Sequence, residues 1–357
     1  MAEKVTIIDV ARYANVSRQT VSNVLNSPEL VREETRNRVR EAVRTLGYRV
    51  NQAARQMRTG RSRLIATRIE ADRNGVNGSV LDRFLHGLTA SAAQAGYRIL
   101  LYTADDERSE ADTFDDLIGA HEPEAFVLTG TCRGDGRPSR LGERGVPFVT
   151  FGRPWDGTGG VRDTGHSWVD VDGAAGTAEA TRYLLDTGHR RIGFLGWPPG
   201  SGVGDDRRSG WARTLAAAGV DPAGLDRATD DGVADGEAAA RGLLETGHPV
   251  TALVCASDSL ALGALNTVRL LKAGARADGP DAPPPAVIGF DDTPVAKAVG
   301  LSSVSQPLAE AAAGCVSLLT RLLDPRSGPP EPVAHLLRPS LVIRGRPDRR
   351  GGPAAVA

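Results

Sequence analysis

One short polar stretch near the start of the chain carries side chains that can read a nucleic acid. Arg18, Gln19 and Asn23 follow Ser17 within a predicted helix. In the major groove a guanidinium pairs bidentately with guanine, and a carboxamide does so with adenine. Hydroxyl and amide side chains suit phosphate contacts, which position a protein on the duplex without reading sequence. We predict base contacts from Ser17, Arg18, Gln19, Thr20, Ser22 and Asn23, and phosphate contacts from Thr6, Ser17, Ser22, Asn26 and Thr35.

The spacing of apolar residues around this stretch predicts a helix-turn-helix. Thr6 and Ser17 are N-cap residues of two short helices, and a third helix is expected over about 32–46. In such a unit the first residues of the second helix lie against base edges. The alternative is a small helical bundle whose polar face is only solvated. The apolar faces of the first two helices are formed by Val10, Ala11, Ala14, Val21, Val24 and Leu25.

The distribution of charge separates a basic front from an acidic remainder. Residues 1–63 contain 13 Lys and Arg against 6 Asp and Glu, which gives +7. Because the whole chain has a net charge of −1, the other 294 residues carry −8. A basic front on an acidic body indicates a nucleic-acid partner for the front.

Composition excludes several classes of protein. The 3 cysteines form no CxxC pair and the 6 histidines are scattered, so we expect neither a metal site nor a disulfide framework, and no cofactor. No apolar run approaches the roughly 18 residues that a membrane span needs. The first residues contain no apolar secretion segment. These features predict a cytoplasmic, nucleoid-associated protein without a membrane partner.

After residue 64, short apolar runs alternate with Ala-rich helical stretches. This alternation predicts parallel sheets with right-handed crossovers, and its length favours two doubly wound subdomains with a ligand crevice at the carboxyl ends of the strands. The segment 346–357 is expected to be a disordered tail. The predicted strands are 64–69, 97–102, 125–129, 147–151, 168–171, 191–195, 252–256 and 286–290.

The front of the chain closely resembles the head and hinge of the lactose repressor (LacI–GalR) family. The resemblance is carried by TIIDVARYANVSRQTVSNVLN, then TRNRV, then LGYRVNQAARQM. It implies that Arg18, Gln19 and Asn23 read sequence, and that 51–58 is a hinge helix that folds on the operator and enters the minor groove. Met57 stands where the family has a wedging leucine, and apolar wedges of this kind include methionine. The hinge residues implied to contact DNA are Asn51, Ala54, Arg55, Met57 and Arg58.

The body resembles the effector-binding domain of the same family. TRYLLDTGHRRIGFLG over 181–196 matches a structural motif, DDRRSGW over 205–211 contains Arg207 at an effector-binding place, and GFDD over 289–292 contains Asp291. Ser257 stands where the family usually has Asn. The resemblance implies an effector site that includes Arg207, Ser257 and Asp291. A guanidinium and a carboxylate bind neighbouring sugar hydroxyls, and an aromatic ring such as Trp155 stacks on the apolar face of the sugar.

Alternatives to these site assignments remain open. One alternative places Trp155 in the core, and another has Arg207 and Asp291 form an interdomain or surface ion pair without a ligand. An uptake receptor would share the body but would not need the DNA-reading front. An enzyme acting on sugars is disfavoured, because neither paired carboxylates nor a nucleophile motif is present.

The sequence thus predicts an N-terminal all-α helix-turn-helix head followed by two doubly wound α/β subdomains of periplasmic-binding-protein type. The expected domains are a head over 1–50, a hinge and linker over 51–63 and a two-lobed body over 64–345. The expected function is that of a dimeric, sequence-specific transcriptional regulator. We expect it to repress a pseudo-palindromic operator under the control of a small sugar. A nucleoside or purine effector is the alternative.

Overall fold

The computed structural model describes residues 5–48, 60–69, 75–104, 107–120, 123–155, 165–246, 249–275, 284–326, 328 and 331–344. The predicted hinge helix over 51–58 and the predicted tail over 346–357 lie outside these ranges. The chain divides into two compact units, residues 1–62 and residues 63–357. The first unit is called the head and the second the body.

The head contains the three helices that the sequence predicts. They are α1 (Ile7–Ala14), α2 (Arg18–Asn26) and α3 (Glu33–Thr45), with one 3₁₀ turn over Pro28–Leu30. Asn15, in the left-handed conformation with φ of 51°, turns the chain between α1 and α2. Apolar faces from all three helices meet in a small core that includes Val10, Val21, Val24, Val39 and Ala42.

One lobe of the body, which we call lobe A, is built on a parallel six-stranded sheet that combines strands from residues 64–171 with a late strand over 334–337. The strand order is β11-β5-β4-β3-β1-β2. The strands are β1 (Leu64–Arg68), β2 (Arg98–Tyr102), β3 (Ala125–Leu128), β4 (Phe148–Phe151), β5 (Trp168–Val171) and β11 (Ala334–Leu337). The helices packed with them are α4 (Gly75–Gln94), α5 (Glu107–Ala120), α6 (Arg137–Glu143) and α12 (Leu308–Leu322).

Lobe B repeats this arrangement. Its strand order is β12-β10-β9-β8-β6-β7, and every pair is parallel except β10 with β12. The strands are β6 (Ile192–Gly196), β7 (Asp226–Ala228), β8 (Ala252–Cys255), β9 (Ala286–Asp291), β10 (Ser302–Ser305) and β12 (Ser340–Val342). The helices are α7 (Gly173–Asp186), α8 (Val203–Ala217), α9 (Val233–Leu244), α10 (Asp258–Ala275) and α11 (Pro294–Val299).

The order of strands places a topological switch point in each lobe. In lobe A the chain order reverses between β1 and β3, and in lobe B it reverses between β6 and β8. Ligands of open α/β sheets bind outside the carboxyl ends of strands at such points. The chain passes between the lobes after β5, after β10 and after β11. The predicted fold class is confirmed, and all eight predicted strands are present.

Candidate functional site

The exposed face of α2 presents the predicted reading residues. Arg18 and Gln19 are exposed, whereas Asn23 and Ser22 are half-buried. Gln19 Nε2 donates to Asn23 Oδ1 at 2.9 Å, so these two amides hold each other on one face of the helix. Arg18 lies one residue into the helix, at the end that enters the major groove in helix-turn-helix proteins.

The predicted phosphate contacts Thr6 and Ser17 are helix caps. Thr6 forms a capping box with Asp9, and the Ser17 side chain accepts from the backbone of Thr20. This capping holds two helix N-termini in place, and backbone N–H groups at such ends favour phosphate. Thr35 is half-buried on α3. Asn26 ends α2, and its side chain lies outside the described part of the chain, as do Asn51, Ala54, Arg55, Met57 and Arg58.

In lobe B, Arg207 lies almost fully buried on α8. Its guanidinium stacks on the Phe290 ring at 3.8 Å and faces Trp197 at 5.3 Å. Its Nη1 donates to the carbonyl of Ala256 and lies 3.7 Å from Asp291 Oδ1. Within the described residues its Nε has no hydrogen-bond partner. A buried guanidinium with a vacant donor is equipped to bind a further oxygen atom.

Asp291 ends β9 beside Arg207. Its Oδ1 accepts a 2.6 Å hydrogen bond from Gln306 Nε2, and its φ is 110°, a conformation that non-glycine residues rarely adopt. Burial raises the pKa of Asp291 to about 7, against the opposing effect of Arg207. A carboxyl that titrates near neutrality is able to accept a hydrogen bond from a hydroxyl or to donate one.

Ser257 adjoins this pair at the carboxyl end of β8. Its hydroxyl accepts from Leu260 N at 3.2 Å, which caps α10, and donates to Asp231 Oδ1. Burial raises the pKa of Asp231. The Ser257 hydroxyl therefore orients the Asp231 carboxylate. The neighbouring Asp258 instead supports the turn after β9, since its carboxylate accepts from Ser303 Oγ and from the backbone of Thr293.

Trp155 faces lobe B from the segment that follows β4. Its ring is half-exposed, its Nε1 donates to Thr131 Oγ1 at 3.2 Å, and the Arg153 guanidinium lies 4.9 Å from its centre. A Cβ atom added at Gly202 in lobe B would lie 2.5 Å from the ring, so the indole rests directly on that glycine. Trp155 therefore contacts the opposite lobe and is not part of the core of its own lobe.

Arg153 joins the two lobes next to Trp155. Its Nε pairs with Asp170 on β5 of lobe A, and its Nη2 lies 3.3 Å from Asp206 Oδ2 on α8 of lobe B. The same Asp206 oxygen accepts from the backbone of Ala174 at the start of α7. Burial raises the pKa of Asp170, although Arg153 opposes the shift. A band of carboxylates thus lies near Arg207, which is one residue after Asp206.

The structure brings Arg207 and Asp291 into direct contact, places Ser257 beside them and puts Trp155 on the opposite lobe. It adds Asp231, Gln306 and Arg153, which the sequence analysis did not identify. Asp231 and Gln306 follow β7 and β10, two short polar strands without an apolar run. Arg153 alone had a usable signal, because it lies two residues after the predicted strand 147–151.

Comparison with known proteins matches both units. The family model of bacterial regulatory proteins, lacI family, matches residues 6–51, and the model of the periplasmic binding protein-like domain matches 181–345. The chain is 32% identical over 348 residues to the HTH-type transcriptional regulator CelR of Thermobifida fusca, with 95% of this chain and 97% of that protein covered. The chain belongs to the lacI family. It is thus a DNA-binding transcriptional regulator rather than an enzyme.

Two further similarities extend along this lacI-family chain. The HTH-type transcriptional repressor CytR of Escherichia coli K12 is 29% identical over 348 residues, which are 95% of each chain. A solved structure of a transcriptional regulator CelR–cellobiose complex has a TM-score of 0.66 and 29% identity, with 96% of this chain and 99% of the other covered. In the described part of this regulator, no helix is both long and apolar enough to cross a membrane.

Proposed function

We propose that this lacI-family regulator represses transcription by binding a pseudo-palindromic operator as a homodimer, and that a small sugar bound between lobes A and B controls this binding. The observation that carries the proposal is the buried Arg207–Asp291 pair. Both side chains lie near the carboxyl ends of the strands of lobe B, and Arg207 Nε lacks a hydrogen-bond partner among the described residues. A sugar hydroxyl supplies the oxygen atom that this donor needs.

The polar groups around the pair suit a molecule with several hydroxyls. Asp231, Asp291 and Asp170 have pKa values raised by burial, and each is able to exchange hydrogen bonds with a hydroxyl group. Trp155 offers a half-exposed ring from the opposite lobe, which suits the apolar face of a sugar. The similar CelR structure in complex with cellobiose makes a disaccharide the first ligand to test.

Control of DNA binding follows from linkage. A ligand that binds one closure of the lobes better than another shifts the population toward that closure. If the operator-bound dimer requires a particular closure, then ligand and operator affect each other's affinity by the same factor. The hinge over 51–58 connects the two units in this proposal, with Met57 as the apolar wedge in the minor groove.

The dimer is proposed because one head contacts a single half-site. Paired heads on a two-fold operator give both the affinity and the half-site spacing of helix-turn-helix proteins. Exposed apolar side chains on the body supply surface for the contact between subunits. They include the adjacent Leu270 and Leu271 on α10, Leu101 on the edge strand β2, and Val295 and Val299 on α11.

The proposal is tested by ligand-dependent stabilisation of the full chain. A panel of cellobiose, other disaccharides, monosaccharides, sugar phosphates and nucleosides is screened by thermal unfolding, because a selective ligand raises stability by mass action. We expect a sugar to raise the melting temperature of the wild type. The increase should be lost in Arg207→Lys, which keeps the charge but lacks the planar fork. If nucleosides alone stabilise the protein, the sugar assignment is wrong and the effector belongs to the alternative class.

A further inference from the structure

A side chain of lobe A is bonded to the turn that carries the effector carboxylate. Arg83 lies on α4, and its Nη1 donates to the carbonyl of Asp291 at 3.2 Å and to that of Asp292 at 3.4 Å. Arg83 is a member of neither the predicted DNA-reading set nor the predicted effector set. Its guanidinium joins the two lobes through backbone atoms that immediately follow β9.

The turn itself has an unusual backbone. Asp291 has φ of 110° and Asp292 has φ of 51°, two consecutive positive values in non-glycine residues. Such conformations persist only where surrounding contacts hold them in place. On the lobe B side, Asp292 N donates to Ser303 Oγ, and the Asp292 carboxylate pairs with Lys297 and Arg344. The directions of the carbonyls that Arg83 contacts therefore depend on the state of this turn.

The Asp291–Asp292 turn makes contacts with both lobes. The side chain of Asp291 points to Arg207 and Gln306, which belong to the proposed effector site. The backbone of Asp291 accepts from Arg83, which belongs to the other lobe. A ligand that changes the hydrogen bonds of the Asp291 carboxyl therefore acts on the residue whose carbonyl bonds to lobe A.

Helix α4 connects Arg83 rigidly to lobe A. Phe84, the next residue, is fully buried and stacks on Phe151 of β4 with ring centres 4.2 Å apart. One turn later Gly87 packs closely on α12, where an added Cβ would meet Ala312 Cβ at 3.0 Å. Because α4 has little freedom to move on its own, a shift of lobe A relative to lobe B breaks the bonds of Arg83.

We propose that Arg83 is the positioning residue that couples effector occupancy to lobe closure, by holding the Asp291–Asp292 turn against α4 in the closed body. The effector in this inference is the one that the proposed function assigns. The contact between Arg83 and the Asp291–Asp292 turn does not depend on that assignment. Arg83 does not touch the effector in this proposal. It contacts the turn through the carbonyl groups of Asp291 and Asp292. A change in the conformation of the turn is thereby transmitted through α4 to the sheet of lobe A.

The first experiment measures closure without any ligand. The full chain carries Cys132→Ser and two labelling sites, Glu143→Cys in lobe A and Ala216→Cys in lobe B, both exposed. The distance between the two spin labels is compared between the labelled parent chain and its Arg83→Met and Arg83→Lys variants. The matched control is Arg321→Met, because Arg321 is an exposed arginine on α12. We expect Arg83→Met to lengthen and broaden the distance between the lobes, Arg83→Lys to give an intermediate result, and the control to match the wild type.

Hydrogen exchange gives a second readout at the turn. The amide of Asp292 donates to Ser303, and that of Thr293 donates to Asp258, so we expect both amides to be protected from exchange while the turn keeps this conformation. Arg83→Met should raise their exchange several-fold while amides in the core of lobe B, such as that of Phe194, stay unchanged. Unchanged distances and unchanged exchange at the turn would overturn the proposal, whichever ligand the protein binds.

The second experiment uses cellobiose as the probe and operator affinity as the readout. We expect Arg83→Met to reduce the ratio of operator dissociation constants with and without cellobiose, while operator affinity without the sugar changes less. If cellobiose does not change the operator affinity of the wild type, cellobiose is not the effector. The spin-label distances then still test whether Arg83 holds the two lobes together. If wild type responds and Arg83→Met responds equally, the coupling role of Arg83 is wrong.

Discussion

At the scale of single residues, two adjacent carboxyl groups have pKa values that are shifted in opposite directions, although burial opposes the ionisation of both. Burial raises the pKa of Asp291 to about 7, because Arg207 compensates only part of the desolvation. Burial also opposes ionisation of Asp292, yet hydrogen bonds from Arg344 and Lys297 bring its pKa below the usual value. The two residues of one turn therefore contribute to stability in different ranges of pH.

Asp291 makes the body less stable as pH rises toward neutrality. The unfolded carboxyl has lost its proton above its ordinary pKa, whereas the folded one keeps it up to a pKa of about 7. The native state thus binds more protons in this range, so the free energy of unfolding falls as pH increases, by up to about 1.4 kcal/mol per pH unit for one proton. Urea unfolding between about pH 5 and about pH 8 should show a shallower fall in Asp291→Asn than in the wild type.

Asp292→Asn is the matched control for this experiment. A lowered pKa contributes stability that is present above the unfolded pKa and is lost only as pH falls through the folded one. The Asp292→Asn chain should therefore be uniformly less stable across the same range, with the slope of the wild type. Equal slopes in wild type and Asp291→Asn would contradict the account of a buried, partly protonated Asp291.

At the scale of elements, we propose that α2 carries the sequence specificity of the head. Each bidentate contact between a side chain and a base is worth about 1–3 kcal/mol. We expect the double change Arg18→Ala and Gln19→Ala to remove preference for the operator over unrelated duplex while weak, salt-dependent binding remains. Arg38→Ala, at an exposed arginine of α3 that pairs with Glu34, is the control. Anisotropy titrations on both duplexes measure the ratio, and a double variant that keeps it would refute the role of α2.

The loop before α8 positions the indole of Trp155. Gly202 has φ of 34°, and a Cβ atom there would overlap the Trp155 ring at 2.5 Å. Gly202→Ala should expel the ring from its place on lobe B and shift its fluorescence emission to longer wavelength. Gly200→Ala is the matched control, since Gly200 also has a positive φ, of 100°, but no atom within 4 Å of the added Cβ. Identical emission in the two variants would argue against the contact between Trp155 and Gly202.

The elements that sequence predicts are those whose apolar residues repeat with the period of the structure. The eight predicted strands are runs rich in apolar residues, such as AFVL in β3 and ALVC in β8, and the caps Thr6 and Ser17 fix the first two helices. Strands β7, β10, β11 and β12 were not predicted. Of these, β7 and β12 have only three residues each, and β10 is polar, as SSVS shows. Their pairing depends on neighbouring strands, which no local pattern specifies.

The sequence predicted those residues of the candidate site that lie in a recognisable motif. It missed the residues that only the fold brings to the site. Arg207 and Asp291 lie in recognisable segments, and the structure places them in contact. Gln306 and Arg83 reach Asp291 from β10 and α4, which are distant from it in the chain. The contact of Gln306 arises from the pairing of β10 with β9 and that of Arg83 from the packing of the two lobes, and neither leaves a spacing signal in the sequence.

At the scale of the whole molecule, assembly should depend on apolar surface of the body. Leu270 and Leu271 on α10 are 57% and 36% exposed and adjacent, and buried apolar area drives association. We expect sedimentation to show a dimer, and Leu270→Asp with Leu271→Asp to give a folded monomer with weakened operator binding. Leu336→Asp, at a single exposed leucine of β11, should remain a dimer. If the double variant is still a dimer, the interface between the subunits lies elsewhere on the body.

A small molecule bound between the lobes is proposed to control binding of the head to DNA. The most direct measurement is the operator dissociation constant, on a duplex selected from a random library, with and without the stabilising sugar, for the wild type and Arg207→Lys. We predict a change of about 5-fold or more in the wild type. We also predict an unaltered sugar-free affinity in Arg207→Lys, and no response of that variant to sugar. Selective operator binding that no metabolite alters, or an equal response in the variant, would contradict the account.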